Sequence, residues 1–226
     1  MSQERWHTEA EKLAEVRERF LRLYVPAVCD VLDDHGLRFQ AVSPSIVPLA
    51  DGMEIAGPAF TVLGAPSAES DPQKRIGPGV IDEFQSGVVA CYDTQGDTST
   101  GVWGELWSLG AAYRGCVGAV VDGAIRDAKR IVAQGFPIFH TVKRPTDALG
   151  RFTVVESQCA VTIGGVRVHP GDYIFGDVDG VVVIPSDLTL QVLEEAEALV
   201  DREHVIRKRL QGGESPADVY REFGKL

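Results

Sequence analysis

The sequence predicts a single α/β domain built on a mixed parallel and antiparallel sheet, with helices at both ends of the chain. Three observations carry this expectation. From Gly87 to His140, short apolar runs alternate with helix-like segments stopped by glycine, the order that a parallel sheet requires. From Cys159 to Ile184, short β-branched runs are separated by Gly-Gly, Pro-Gly and Asp-Gly, the pattern of antiparallel strands joined by tight turns. The chain has 226 residues, 44% hydrophobic and 24% charged, enough for one well-filled core.

Taken in order, Glu9 to Leu23 reads as a helix, because Leu13, Val16, Phe20 and Leu23 recur at helical spacing between charges. Pro26 interrupts, and Ala27 to Asp34 forms a second short helix closed by His35-Gly36. A connector with Pro44, Pro48 and Asp51-Gly52 leads through Gly57-Pro58 into a strand, Ala59 to Leu63. Ala65 to Pro78, rich in Pro, Ser and Gly, reads as a loop. Val88 to Tyr92 is a buried strand, Gly104 to Tyr113 a helix ended by Gly115, and Val117 to Val121 a strand with Asp122-Gly123 at its C-terminal end. Asp127 to Gln134 is a helix stopped by Gly135, and Pro137 to His140 the next strand. Cys159 to Ile163 and Val166 to His169 form a hairpin, and Tyr173 to Phe175 is separated from Val181 to Ile184 by Asp179-Gly180. A long amphipathic helix runs from Asp187 to Leu210, Gly212-Gly213 breaks it, and Ser215-Pro216 opens the last helix. The expected division is a helical extension (1–24), an α/β catalytic domain (25–186) and C-terminal helices (187–226).

The net charge is 22 − 33 = −11, which argues against a nucleic-acid partner, since phosphate backbones select basic faces. A small anionic substrate remains compatible, because one pocket arginine overrides a negative surface locally. Cys29, Cys91, Cys116 and Cys159 are scattered and read as buried free thiols of a reducing compartment. No apolar run approaches the roughly 20 residues of a membrane span, and Met1 to His7 lacks the apolar core of a signal peptide. The expectation is a cytoplasmic protein with no membrane partner.

Two places put polar groups where parallel sheets bind ligands, at the C-terminal ends of strands. At Gly104-Glu105-Leu106-Trp107, the free N–H groups of a starting helix can hold a carboxylate, and Gly104 lets a ligand approach the backbone. The plainer reading is a tight turn with Glu105 complementing the helix dipole. At Asp122-Gly-Ala-Ile-Arg-Asp127, Arg126 is a planar clamp for a 2-oxo carboxylate and Asp127 a ligand for Mg²⁺ or Mn²⁺. The plainer reading makes Asp127 a helix cap and pairs Arg126 with Asp122. The histidines have no metal-ligand spacing, and no G-x-S-x-G elbow occurs. Asp172, Asp177 and Asp179 suggest a calcium loop only superficially, and turn chemistry explains them better.

Several segments together resemble the RraA-like family, named for the regulator of ribonuclease E activity A. They are Val28 to Asp33, Ala56-Gly-Pro-Ala-Phe-Thr-Val62, Gly96-Asp-Thr through Trp103-Gly-Glu-Leu106, Gly115 to Asp127, and Val161-Thr-Ile-Gly-Gly165 through Pro170-Gly-Asp172 to Pro185. The pair G-E-L and D-G-x-x-R-D, in this order, is the specific part. The resemblance implies a swivelling β/β/α-type sandwich that assembles as a homotrimer or homohexamer, with active sites between subunits.

It also points to the branch of 4-hydroxy-4-methyl-2-oxoglutarate/4-carboxy-4-hydroxy-2-oxoadipate aldolases, metal-dependent lyases that release pyruvate. In that branch the positions matching Gly104, Glu105, Leu106 and Trp107 bind substrate. The position of Arg126 binds the pyruvate-like carboxylate, that of Asp127 ligates the divalent metal, and that of Glu105 acts as an acid through metal-bound water. A Glu from a neighbour's C-terminal helix joins that water, and Glu203 is the match. The implied chemistry is cleavage through a metal-stabilised enolate, which would also decarboxylate oxaloacetate; no lysine lies in these motifs to offer a Schiff base. The rivals are a non-catalytic, protein-binding regulator of a ribonuclease, and a lyase for another 2-oxo or sugar-derived acid. Trp107 is expected to narrow the pocket, and the basic loop His140 to Arg151 (Lys143, Arg144, Arg151) to reach a second substrate carboxylate.

Overall fold

The computed structural model describes residues 9–71 and 77–224. Helices α1 (Glu9–Phe20) and α2 (Val25–Asp34) open it. Pro26 lies in the first turn of α2 after an extended Tyr24, where a missing N–H costs nothing, so it begins the helix rather than merely interrupting. The strands that follow are β1 (Val47–Pro48), β2 (Ile55–Pro66), β3 (Val89–Asp93), β4 (Gly101–Trp103), β5 (Gly118–Ile125) and β6 (Ile138–Lys143). Then come β7 (Phe152–Ser157), β8 (Val161–Ile163), β9 (Val166–Val168), β10 (Tyr173–Asp177) and β11 (Gly180–Ile184).

Among the described residues, nine strands form one sheet in the order β1-β6-β5-β3-β2-β10-β11, with β4 on β5 and β7 on β2. The pairs β2–β3, β3–β5, β4–β5 and β5–β6 are parallel; β1, β7, β10 and β11 join antiparallel. Strands β8 and β9 pair as a separate two-stranded sheet, while the parallel run and the β10–β11 hairpin meet in one sheet, on β2. Its first residues pair with β10, its last with β7, and its other edge with β3.

Helices α3 (Gly77–Asp82), α4 (Glu105–Tyr113) and α5 (Ala128–Gln134) share an apolar cluster with the sheet that includes Phe60, Tyr92, Trp103 and Ile131. A second cluster packs the β8–β9 hairpin, through Val161, Ile163 and Val168, against Val89 and Val120. The third gathers α1, α2 and the long α6 (Thr189–Gln211) on β10 and β11, with Phe20 stacked on Tyr173 at 4.5 Å. Arg19 donates to both carboxylate oxygens of Glu197 at 2.8 and 2.6 Å, so the N-terminal helix is tied to the C-terminal one. The short α7 (Pro216–Phe223) follows Ser215.

Four differences from expectation matter. Helix α3 lies at the end of the expected loop, and β4 and β7 are strands that no pattern announced; three residues of β4 are too few to show a period. Strand β5 runs on to Ile125, so Asp122 and Gly123 lie inside it, not at its end. The pairing with β6 shifts between Val121 and Ala124. There the Thr94 hydroxyl donates to the Asp122 carbonyl at 2.6 Å, and a Cβ on Gly123 would meet Thr94 at 2.4 Å.

The buried carboxylates are structural. Asp172 accepts from the His169 and Ser186 N–H groups at 2.7 and 3.1 Å, and Asp177 from Val25 and Asp179 at 2.8 Å each. These bonds consume the oxygens a calcium loop would need. Burial pushes the Cys29 and Cys116 thiols up to about 11 and Cys91 higher still, so they stay protonated and inert. Among the described residues, no helix is long and apolar enough to cross a membrane.

His140, 3% exposed on β6, has neither ring nitrogen hydrogen-bonded. Burial, helped by Lys143, lowers its pKa from 6.5 to about 4. A base depressed in the fold binds fewer protons there than in the unfolded chain between these values. Its contribution to stability is therefore whole above about pH 6.5 and is lost as pH falls toward 4. We expect up to about 3 kcal/mol of stability to disappear over that window in denaturant titrations, and His140→Leu to flatten the slope. An unchanged slope in the variant would show that other groups set it.

Candidate active site

The parallel strands β4 and β5 end side by side, and the chain that leaves them builds a cleft. Arg126 follows β5 directly. Its N–H donates to the Trp103 carbonyl at 2.8 Å, and the Arg144 N–H donates to the Ile125 carbonyl at 2.8 Å, fixing the backbone on both sides. The Arg126 side chain then crosses β4. A Cβ on Gly101 would lie 2.9 Å from Arg126 Cβ, and one on Gly104 would lie 3.2 Å from Arg126 Cγ and 2.7 Å from Asp127 Oδ2. Both glycines are thus empty space that the two functional side chains occupy.

Asp127 takes the left-handed conformation, φ 57° and ψ 27°, at the N-cap of α5, yet its side chain caps nothing there. The left-handed backbone turns the carboxylate toward the start of α4, where Oδ2 accepts the Glu105 N–H at 3.3 Å. Helix α4 has Gly104 at its own N-cap, without a side chain to offer, so Asp127 partly supplies what α4 lacks. The rest of α4 is anchored from below: the indole N–H of Trp103 donates to Ser108 Oγ at 2.9 Å, and that hydroxyl donates to the Gly104 carbonyl at 3.2 Å.

The plain reading of the Asp122–Asp127 segment holds only in part: Asp127 occupies the N-cap position of α5 but its side chain does not cap it, and Arg126 does not pair with Asp122. The Arg126 Nη1 instead meets Asp147 at 3.0 Å, and its Nε lies 3.7 Å from Asp127 Oδ2. Asp122 accepts the Gly164 N–H at 2.7 Å and the Thr141 hydroxyl at 3.3 Å, pinning the β8–β9 turn. Glu105 accepts from Gln134 at 3.1 Å and lies 3.9 Å from Arg130.

Arg126, Asp127, Gly104, Glu105, Trp107 and Asp147 line a cleft of 590 Å³. The structure thus brings five of the expected residues together; Leu106 also borders the cleft, its side chain 71% exposed at the rim. Trp107 packs mostly on the core, 5.4 Å from the Trp103 ring. Glu203 does not line the cleft of its own chain; it lies on α6 beside Asp30 and Tyr220.

The basic loop behaves differently from expectation. Arg144 and Arg151 turn to the carbonyls of Thr98 and Asp147, and the residues this loop gives to the cleft are Asp147 and Ala148. Sequence reasoning missed Asp147, which shares no motif with Arg126 and reaches it because residue 147 bridges to Gly101 beside β4.

A divalent cation suits this donor set in one way. Among the described residues no group of three or more His, Cys, Asp or Glu side chains could hold a metal, so an all-protein cage is absent. Mg²⁺ and Mn²⁺, however, accept one or two carboxylates with water and substrate oxygens completing the shell. The half-exposed Asp127 carboxylate, turned into the cleft, fits that role.

Comparison with known proteins now decides the lineage. The family model described as "RraA-like: Aldolase/RraA" matches residues 25–183. The chain belongs to the RraA-like family. It is 30% identical over 205 residues to "Protein DlpA" of Legionella pneumophila, covering 91% of this chain and 33% of that protein, so the chain spans a third of that relative's length. It is 35% identical over 176 residues, covering 76% of this chain and 79% of the other, to a Halalkalibacterium halodurans protein named "Putative 4-hydroxy-4-methyl-2-oxoglutarate aldolase". The crystal structure of Streptomyces coelicolor RraAS2, titled an unusual member of the RNase ES inhibitor RraA family, superposes with a TM-score of 0.76 at 28% identity, covering 85% of this chain and 96% of that one. The RraA-like family thus holds proteins named as aldolases beside a ribonuclease inhibitor family.

In this RraA-like chain the left-handed turn predicts a trade of stability for function. Asp127→Gly relieves the backbone strain that Asp127→Ala keeps, so the glycine variant should be the more stable by about 1 kcal/mol in urea denaturation. Equal stabilities would mean that the turn stores no strain.

Proposed function

We propose that this protein is a divalent-metal-dependent carbon–carbon lyase that releases pyruvate from 4-hydroxy-2-oxo acids, the class of 4-hydroxy-4-methyl-2-oxoglutarate, with oxaloacetate decarboxylation as a side activity. The observation that carries this reading is the convergence of Arg126, Asp127 and Glu105 on one cleft at the N-terminus of α4. A regulator that acts by protein contact has no need of that combination. The aldolase names of relatives such as the Halalkalibacterium halodurans protein support the same class.

The roles follow from the chemistry. Arg126, 35% exposed in the cleft, holds the substrate carboxylate, and its charge favours the negative charge that grows on the keto side as the bond breaks. Asp127 would hold the cation, which when bound supplies Lewis acidity to the 2-oxo group. Cleavage removes the proton of the 4-hydroxyl, turns C4 into a carbonyl, leaves the electron pair on C3, and ends when C3 takes a proton to give the methyl of pyruvate. Glu105, steadied by Gln134 and Arg130, is the group of this chain placed to hold that proton through water. The N–H groups of Gly104, Leu106 and Trp107 add donors at the helix start, the Glu105 N–H being engaged by Asp127.

The proposed assembly is a homotrimer or homohexamer in which Glu203 of one subunit reaches the neighbour's cleft. Leu106, Leu109 and Tyr113 support it: they form an exposed apolar stripe on α4 beside the cleft, 71%, 55% and 89% exposed.

The test is pyruvate release, with Mg²⁺ or with chelator, from 4-hydroxy-4-methyl-2-oxoglutarate, 4-hydroxy-2-oxopentanoate and oxaloacetate. Release from at least one, abolished by chelator and in Asp127→Ala, is expected. Arg126→Lys should lose on the order of 100-fold in kcat/KM, because lysine lacks the bidentate fork. No release from any of the three by folded protein would refute the lyase.

A further inference from the structure

The cleft carries an acid that the proposed reaction does not use. Asp147 comes from the loop after β6 and faces Arg126 at 3.0 Å, its side chain 47% exposed. Asp127 lies on the Nε side of the same guanidinium at 3.7 Å, and Glu105 lies beyond Asp127. Leaving Arg126 on either side, the wall of the cleft is a carboxylate.

Among the described residues the cations do not offset this: two guanidiniums, Arg126 and Arg130, line the cleft with three carboxylates, Glu105, Asp127 and Asp147. Arg126 is flanked by Asp147 and Asp127, and Arg130 lies 3.9 Å from Glu105. Arg144 and Arg151, which could have met a second substrate carboxylate, donate to backbone carbonyls instead. Ile81, Trp107 and Ala148 are apolar members of the described lining.

We propose that Asp147 is a specificity-determining residue that selects 2-oxo acids with an uncharged, hydroxyl-bearing tail and disfavours a second carboxylate. The proposal rests on the lyase reading above and names its substrate class. A 2-oxo acid seated on Arg126 leaves its tail within reach of the Asp147 carboxylate. A carboxylate tail meets like charge there; a hydroxyl tail donates to it. Within the lyase class proposed above, the monocarboxylate 4-hydroxy-2-oxopentanoate is then favoured over the dicarboxylates 4-hydroxy-4-methyl-2-oxoglutarate and oxaloacetate, and the preferred products are pyruvate and an aldehyde or hydroxyaldehyde. The class of reaction that supplies such a substrate is the dehydration of a sugar acid to a 3-deoxy-2-oxo acid, which places the 4-hydroxyl where cleavage needs it.

Binding isolates this claim from turnover. Two 2-oxo acids that lack the 4-hydroxyl, 2-oxopentanoate and 2-oxoglutarate, are titrated calorimetrically into the wild type, Asp147→Asn and Asp147→Lys, each with Mg²⁺. Loss of Asp147 also frees Arg126, which strengthens both ligands alike, so the ratio of their affinities reports the tail alone. The wild type should prefer 2-oxopentanoate. The ratio should move toward 2-oxoglutarate by about five- to tenfold in Asp147→Asn and further in Asp147→Lys, as like charge becomes neutral and then opposite. A wild type that prefers 2-oxoglutarate, or a ratio unmoved by both variants, would overturn the proposal. If the ratio moves as expected while no pyruvate is released from any 4-hydroxy-2-oxo acid, the lyase reading fails and the tail selectivity stands.

Discussion

At Asp127 the backbone turns left-handed between the end of β5 and the start of α5 (φ 57°), and the cleft is arranged around that turn. The extended φ usual at an N-cap would aim the carboxylate at the N–H groups of its own helix. The strained φ sends it to the N-terminus of α4, where the Glu105 N–H meets it at 3.3 Å. The surrounding structure maintains the strain: the Arg126 and Arg144 N–H groups are bonded to the carbonyls of Trp103 and Ile125, and α5 starts immediately after. Strain of this kind persists where function needs an orientation that packing alone would not choose.

Small residues give the turn its room. Gly101 and Gly104 supply the space that Arg126 and Asp127 fill, so their lack of a side chain is a contact requirement and not a matter of flexibility. Asp122, Asp172 and Asp177 spend their charges on backbone N–H groups. Asp93 does the same with Gln95 and Thr162 at 2.7 and 2.9 Å. These carboxylates hold loops, whereas Glu105, Asp127 and Asp147 face the cleft.

One consequence is that the cleft's charge is set by pairs and not by the count of basic residues nearby. Arg144 and Arg151 stand within a few residues of Asp147 in sequence, yet both turn to carbonyls. Arg126 is committed on two sides before any ligand arrives. A ligand carboxylate therefore meets Arg126 in competition with the two carboxylates beside it, which makes recognition a difference between partners.

The sequence by itself determined the α/β class, the alternation of strands and helices from Gly87 to His140, the Gly164-Gly165 hairpin and the terminal helices. These follow from local periodicity and turn chemistry, which short windows contain. It also offered Gly104, Glu105, Arg126 and Asp127 as candidates, because their chemistry sits in adjacent positions, and the resemblance to the RraA-like family is what raised them above the plainer readings. Only the tertiary structure decided that Asp122 lies within β5, that Asp127 serves a helix other than its own, that Asp147 faces Arg126, and that the basic loop does not. Each of these rests on contacts between residues distant in the chain, on a register shift or on a left-handed turn. None leaves a period or a motif, since the packing of neighbouring strands fixes them.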